Sequence, residues 1–244
     1  MNKAYVKPDG VKVVLGPGTG LGEAILAKSD HAPCHEVLSS EGGHVDYPPK
    51  SAEDFKIFEF SKNYIATSNN VENKRAKANI SRVSVERVCA GPAIPMLYEF
   101  YKQEFPDLPR NLEEGADAIK PEDMTSGHIV SKAMQDKEKD ALCWKVIEKF
   151  AEIFATECGN LGLRALPFGG IYLVGGVTVG ITDFLVKYEH FKDHFFGKGR
   201  FEDLMRRLPL MVIKGDVELG LLGAEECTYR MLGRYKDFSG DSEM

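Results

Sequence analysis

The 244 residues carry 31 Lys and Arg against 37 Asp and Glu, a formal net charge of -6, with 43% hydrophobic and 28% charged residues. That is the make-up of a folded chain with a sizeable core, and its acidic balance offers no broad basic face. Nucleic acid and anionic membrane surfaces are therefore disfavoured as partners, and a small-molecule ligand is favoured. Five scattered cysteines, Cys34, Cys89, Cys143, Cys158 and Cys227, never spaced Cys-x-x-Cys, point to a reducing compartment. The start shows no signal-peptide pattern, no apolar run reaches the roughly 18 residues of a membrane span, and the ending is no peroxisomal address. The expected location is cytoplasmic.

In chain order, Val11 to Leu15 predicts a buried strand running into the stretch Gly16-Pro17-Gly18-Thr19-Gly20-Leu21-Gly22. Gly22 to Ala27 and Glu36 to Ser39 predict two more strands of an antiparallel meander, turning near Ser29 to Ala32, and Glu41 to Pro49 reads as loop. Ala52 to Lys62 predicts a helix, and Thr67 to Asn79 is polar enough to predict a solvated, mobile insertion. Glu86 opens a segment in which Ala93, Met96, Leu97 and Tyr101 fall at helical spacing, closed by Pro106 and Pro109.

Ser126 to Met134 predicts a short helix. Lys137 to Leu163 predicts a long central one, because Cys143, Val146, Ile147, Phe150, Phe154 and Cys158 recur at intervals of three and four. Gly170 to Gly176 reads as a hydrophobic strand ending in paired glycines, a common place for a nucleotide contact. Ile181 to Lys187 then predicts a helix, Lys198 to Phe201 a basic turn, Met211 to Lys214 a strand, and Glu218 to Leu232 a final helix. This alternation implies an α/β fold with a mixed sheet and helices on both faces.

Successive backbone N–H groups of a glycine turn make an anion-binding concavity, and the Thr19 hydroxyl adds a donor, so Gly18, Thr19 and Gly20 are candidate phosphate contacts. The dinucleotide spacing fails, since Leu21 lies three residues after Gly18 and Glu23 three after Gly20, and the Walker pattern fails for want of Gly-Lys-Ser/Thr. In Ser40-Glu41-Gly42-Gly43-His44 a carboxylate and an imidazole sit three apart around two glycines that let a ligand approach the backbone. Glu86 supplies a second carboxylate. Ionised carboxylates accept hydrogen bonds from vicinal hydroxyls, each worth roughly 1.5 to 3 kcal/mol, so Glu41, His44 and Glu86 are candidate sugar contacts.

Asp30, His31, Cys34 and His35 could ligate a metal, yet no second cluster completes a tetrahedral site, and no metal is expected. Lys198, Arg200, Arg206 and Arg207 read as a solvated basic face that could alternatively approach phosphates, and His128, His190 and His194 as surface or packing histidines.

With these motifs in order along the chain, it resembles the bacterial-type glucokinases, hexokinase relatives in the actin-like ATPase superfamily. The resemblance covers nearly the whole sequence and includes Gly220-Leu221-Leu222-Gly223-Ala224 at the last helix. It implies a ribonuclease H-like lobe that phosphorylates glucose at O6 using ATP and Mg2+. Glu41, His44 and Glu86 would hold sugar hydroxyls, Gly18, Thr19 and Gly20 would face the ATP phosphates, Gly175 and Gly176 would lie by the nucleotide, and the protein would form a homodimer.

The family's Asp-Gly-Gly-Thr loop and its Asn-Asp pair, whose aspartate is the general base, find no match here. Asn69-Asn70 lies in the polar insertion and is no substitute. The implied division is a large lobe at 1–217 and a C-terminal helix and tail at 218–244, including Tyr235, that would pack on an N-terminal lobe. A chain lacking the base would be inactive or very weak. The other readings are a noncatalytic sugar- or nucleotide-binding module and, on glycine richness alone, a dinucleotide-dependent oxidoreductase.

Overall fold

Alternation along Lys12–Pro17 puts Val13, Leu15 and Pro17 on one face, and in the computed structural model this segment is strand β1 with those three residues buried. It returns through a tight tip into antiparallel β2 (Leu21–Ala27), Gly16 facing Gly22 and Pro17 facing Leu21. Much of the glycine stretch is therefore strand. Gly18, Thr19 and Gly20 form the tip, where the Gly18 N–H donates to the Gly20 carbonyl at 2.7 Å. β3 (Glu36–Ser39) completes the predicted meander antiparallel to β2. β4 (Gly170–Leu173) runs parallel to β1, and β5 (Leu210–Val212) parallel to β4, giving a mixed sheet of order β3-β2-β1-β4-β5.

The structure describes residues 4–29, 34–67, 81–114, 118–120, 123–135, 140–187, 189–213, 215 and 218–233. The predicted turn at 30–32, most of the polar insertion, Lys214 and Tyr235 lie outside these residues.

The helices are α1 (Ala52–Thr67), α2 (Ala93–Glu104), α3 (Asn111–Glu114), α4 (Ser126–Gln135), α5 (Ala141–Ala165), α6 (Gly176–Gly180), α7 (Thr182–Lys187), α8 (Glu189–Phe196), α9 (Glu202–Met205) and α10 (Leu219–Met231). α1 runs five residues past its predicted end. The helical pattern expected from Glu86 resolves into a short 3-10 segment, Val85–Arg87, and then α2. α5 is the central core helix the sequence predicts: Val146, Ile147, Phe150 and Phe154 are fully buried, and it packs against α2, α4, α8 and β1. The Asp140 carboxylate caps it, one oxygen accepting from Cys143 N–H while the other takes the Leu112 N–H at 2.8 Å and so anchors α3. Leu166, in the left-handed region at φ 47 and followed by Pro167, ends it.

α8 has no counterpart among the predicted elements. It forms because Phe191 and Phe195 lie one turn apart and both are fully buried, Phe191 meeting Phe154 of α5 edge-on at 6.1 Å between ring centroids.

A buried ion cluster joins α1 to α5. Lys149, 4% exposed, is 2.9 Å from Glu53, 3.1 Å from Asp54 and 2.8 Å from Glu152. The other Asp54 oxygen accepts the N–H groups of Lys50 and Ser51 at the start of α1. Attraction to Lys149 outweighs burial and holds Glu53 and Asp54 below the usual carboxylate range, while the same carboxylates raise the Lys149 ammonium.

α10, predicted within a residue at each end, contains no buried residue. Leu221 is 70% and Met231 88% exposed. Arg230 ties the helix to the sheet side, donating to the His35 carbonyl at 3.0 Å.

Candidate functional site

β1 and β4 are parallel, so their C-terminal ends lie at one edge of the sheet, where open α/β sheets receive ligands. The β1 end carries the Gly18-Thr19-Gly20 tip, and the β4 end carries Gly175 and Gly176. Gly175 has φ 95, a conformation that excludes most side chains, and a side-chain carbon there would sit 3.1 Å from the Pro17 carbonyl oxygen. The two glycine turns are thus neighbours. A side-chain carbon at Gly176 would meet nothing within 4 Å. Cavities open on both sides of it: one of about 390 Å³ between Gly176, Ile213 and Leu219, and one of about 480 Å³ between Gly176, Ser126, Val130 and Met134.

Leu21 connects the tip to the sugar candidates through its main chain. Its N–H donates to Glu86 Oε2 at 2.9 Å. Its carbonyl faces the second turn so closely that a side-chain carbon on Gly43 would come within 2.3 Å of that oxygen. Glu86 also presses on the tip, its Oε2 lying 2.4 Å from where a side-chain carbon of Gly20 would stand. A small cavity of about 120 Å³ bordered by Thr19, Glu86, Arg87 and Tyr64 opens beside it.

Residues Gly42–His44 form one turn of 3-10 helix, closed by His44 N–H to Glu41 O at 2.9 Å and by Gly42 N–H to Ser40 Oγ at 3.0 Å. Gly42 and Gly43 are buried, whereas the Glu41 and His44 side chains are exposed, with His44 Nε2 3.7 Å from Glu41 Oε2. The chain after this turn is sewn to the chain before Glu86: Tyr47 N–H bonds Val83 O, Val85 N–H bonds Val45 O, and Asp46 bridges Ser84. Arg82 bonds both Asp46 Oδ1 and the His44 carbonyl. Beyond the 3-10 segment, Gly91 N–H donates to Gly18 O at 2.8 Å. The structure therefore brings the 41–44 turn, the Glu86 segment and the 18–20 tip around Leu21, with Gly175 and Gly176 beside the tip.

Several participants are not evident from the sequence. Leu21 acts through backbone atoms and leaves no residue-type signal. Ser126, the first residue of α4, reaches a cavity wall beside Gly176, and the sequence marks it only as the start of a predicted helix. Glu23 faces inward under Gly42, both carboxylate oxygens without a hydrogen-bond partner, and its burial, reinforced by Glu157, pushes it up to about 7. Lys198 is held within the fold: its ammonium donates to Thr156 O and Asn160 Oδ1 on α5, and burial lowers it. Arg206 pairs with Glu202 on the surface. Of the metal-ligand candidates, Asp30 and His31 lie outside the described residues, and the His35 ring nitrogen lies 3.0 Å from Gly10 O.

The family model described as Glucokinase matches residues 1–231. A glucokinase of Nostoc punctiforme is 31% identical over 226 residues, covering 89% of this chain and 61% of that protein. One of Shigella sonnei is 34% identical over 220 residues, covering 90% and 58%. The chain thus spans about three fifths of the length of the curated relatives it matches. Among solved structures, a glucokinase from an Antarctic psychrotroph superposes with a TM-score of 0.70 at 22% identity, over 94% of this chain and 61% of the other. A Balamuthia mandrillaris glucokinase in complex with glucose gives 0.70 at 21%, over 90% and 54%. A ROK family glucokinase from Streptomyces griseus, in complex with glucose and AMPPNP, gives 0.54 at 16%, over 85% and 56%. These likenesses fix the fold as that of an actin-like ATPase lobe. With the match running across nearly its whole length, the chain belongs to the glucokinase family.

Proposed function

We propose that this chain forms the large lobe of a sugar kinase that transfers the γ-phosphoryl group of ATP to glucose, giving glucose 6-phosphate. The observation that carries the reading is the junction at Leu21, whose N–H holds Glu86 and whose carbonyl seats Gly43 directly after the 18–20 tip. A sugar held by Glu41, His44 and Glu86 would then lie next to the phosphates of a nucleotide held by the Gly18, Thr19 and Gly20 tip. Gly175 and Gly176, with open volume on either side of Gly176, suit the nucleoside end.

ATP fits these residues: with the Gly18 N–H held by the Gly20 carbonyl, the tip can still present the Thr19 and Gly20 N–H groups and the Thr19 hydroxyl to phosphate oxygens, and the space at Gly176 is unobstructed. Bound with the nucleotide, Mg2+ supplies charge neutralisation on the transferred phosphoryl group. The protein's own contribution is positioning, with carboxylates accepting from sugar hydroxyls and His44 donating. None of the assigned residues is a general base for the sugar hydroxyl, a contribution typically worth about 10² to 10⁴-fold. The isolated chain is accordingly proposed to bind sugar and nucleotide with little or no turnover.

Residues 218–244 are proposed as the surface that packs on the family's remaining lobe, consistent with the exposure of Leu221 and Met231 on α10. Homodimerisation and a cytoplasmic location complete the proposal. No helix among the described residues is long and apolar enough to cross a membrane.

Calorimetric titration with glucose, then with an ATP analogue, tests the reading. Uptake of both, lost for glucose in Glu86→Ala, is the expected result. Absence of uptake of either ligand overturns it.

A further inference from the structure

Glu23 points inward from β2 and is 8% exposed, yet neither carboxylate oxygen has a hydrogen-bond partner. Buried carboxyls are ordinarily bonded or paired, so an orphan one beside a binding turn calls for an account. Its Oε2 lies 1.8 Å from where a side-chain carbon on Gly42 would stand, and Ser40 Oγ lies 3.1 Å from the same point. The carboxyl is therefore wedged beneath the first buried residue of the 41–44 turn. A glycine is what lets the turn sit that low.

The groups around Glu23 come from three sides. α5 presents Glu157, 3% exposed and already bonded by Arg164 and Asn160, together with the Cys158 thiol. The end of the 3-10 segment presents the Cys89 thiol, which feels both carboxyls. The turn presents the Ser40 hydroxyl from below and the exposed Glu41–His44 pair above. The positive charge acting on Glu23 is Arg164, and that guanidinium is committed to Glu157.

Building on the sugar-site reading, we propose that Glu23 is a positioning residue for the sugar turn, whose neutral acid lets Gly42 and Gly43 seat on β2 and whose ionisation lifts the turn and weakens sugar binding. An ionised Glu23 would set a second negative charge against Glu157 in a space where neither the Ser40 hydroxyl nor either thiol is bonded to it. Water must then reach it, and the layer nearest solvent is the turn itself, the other walls being a core helix and the sheet. Burial, with Glu157 adding to it, pushes the carboxyl up to about 7, so the change falls near neutrality.

Glucose affinity measured by calorimetry from pH 5.5 to 8.5, for wild type, Glu23→Gln and Glu157→Gln, tests this. The criterion is the difference between wild type and Glu23→Gln, in which any pH dependence common to both proteins cancels. Wild type is expected to lose about tenfold more affinity than Glu23→Gln between pH 6 and 8, the factor for binding by the protonated form alone. Glu157→Gln, which removes the like charge, is expected to move the wild-type midpoint to lower pH. Parallel profiles for wild type and Glu23→Gln overturn the inference while leaving the sugar site standing. If wild type takes up no glucose at any pH, the sugar-site reading fails and hydrogen exchange of the ligand-free protein decides. The amides of residues 42 to 45 then exchange increasingly faster in wild type than in Glu23→Gln as pH rises, and an unchanged ratio overturns the inference.

Discussion

Replacing Lys149 by methionine should destabilise the protein strongly at neutral pH and much less in acid. The ammonium lies within 3.1 Å of three carboxylates, Glu53, Asp54 and Glu152, and is 4% exposed. At an effective dielectric of about 20, two unit charges about 3 Å apart attract by about 5 to 6 kcal/mol. That gross attraction is offset by desolvation of the ammonium and by repulsion among the carboxylates. What the substitution exposes is the repulsion and the burial of Asp54 without a counter-charge, for which breaking a buried pair costs about 3 to 5 kcal/mol.

The pH dependence has a definite sign. Glu53 and Asp54 are held below their ordinary values in the fold, so their contribution is present above the unfolded-state pKa and is lost as pH falls through the lowered ones. In Lys149→Met that contribution is gone, so the gap between the two proteins should begin to close below about pH 4, near the reference carboxylate values, and close fully only below the lowered ones. Urea unfolding at pH 7 and pH 3.5 reads the difference. A loss below about 1 kcal/mol at pH 7, the scale of a surface ion pair, or one of equal size at both pH values, refutes the reasoning.

Other outcomes follow from the same geometry. Gly43→Ala puts a methyl group 2.3 Å from the Leu21 carbonyl oxygen, and backbone cannot yield as a side chain can; a loss of about 1 to 3 kcal/mol in urea unfolding should accompany loss of glucose uptake. Glu23→Gln should stabilise the fold at pH 8 and leave it unchanged at pH 4. The native carboxyl sits at about 7 against an ordinary value of 4.5, so wild type loses stability as pH rises between the two; that is about 3 kcal/mol unscreened and nearer 2 after solvent screening, by linkage. Equal urea midpoints for the two proteins at pH 8 would refute this. Leu221→Ser, on a side chain 70% exposed, should change stability by no more than about 0.5 kcal/mol in thermal melts of this chain, and a larger loss would mean that α10 is covered.

Where periodicity was long or chain chemistry strict, the sequence was legible. Six apolar residues at intervals of three and four announced α5, and an apolar run into a glycine stretch announced β1 and β2. α8 was missed because eight residues holding two histidines and three charged side chains look polar, and the anchoring role of Phe191 shows only once Phe154 is opposite it. The residue types of the site could be read because carboxylate, imidazole and glycine announce their own chemistry. Their assembly could not, because it runs through Leu21 main-chain atoms and through pairing of residues 45 to 47 with 83 to 85, close to forty positions away. Lys198 shows the opposite failure: a basic turn that looks solvated instead clasps α5.

A link made by peptide atoms is indifferent to the side chain that carries it. Exchanging Leu21 for another apolar residue would preserve both its N–H and its carbonyl, so scanning that position would report a core residue and nothing more. The fragility lies at its correspondents: Glu86, whose carboxylate takes the Leu21 N–H at 2.9 Å, and Gly43, where a side-chain carbon would come within 2.3 Å of the Leu21 carbonyl oxygen. If the tip engages a nucleotide as proposed, its displacement would pull on Glu86 through the Leu21 N–H and on the 41–44 turn through the Leu21 carbonyl, so the two halves of the proposed site would be coupled.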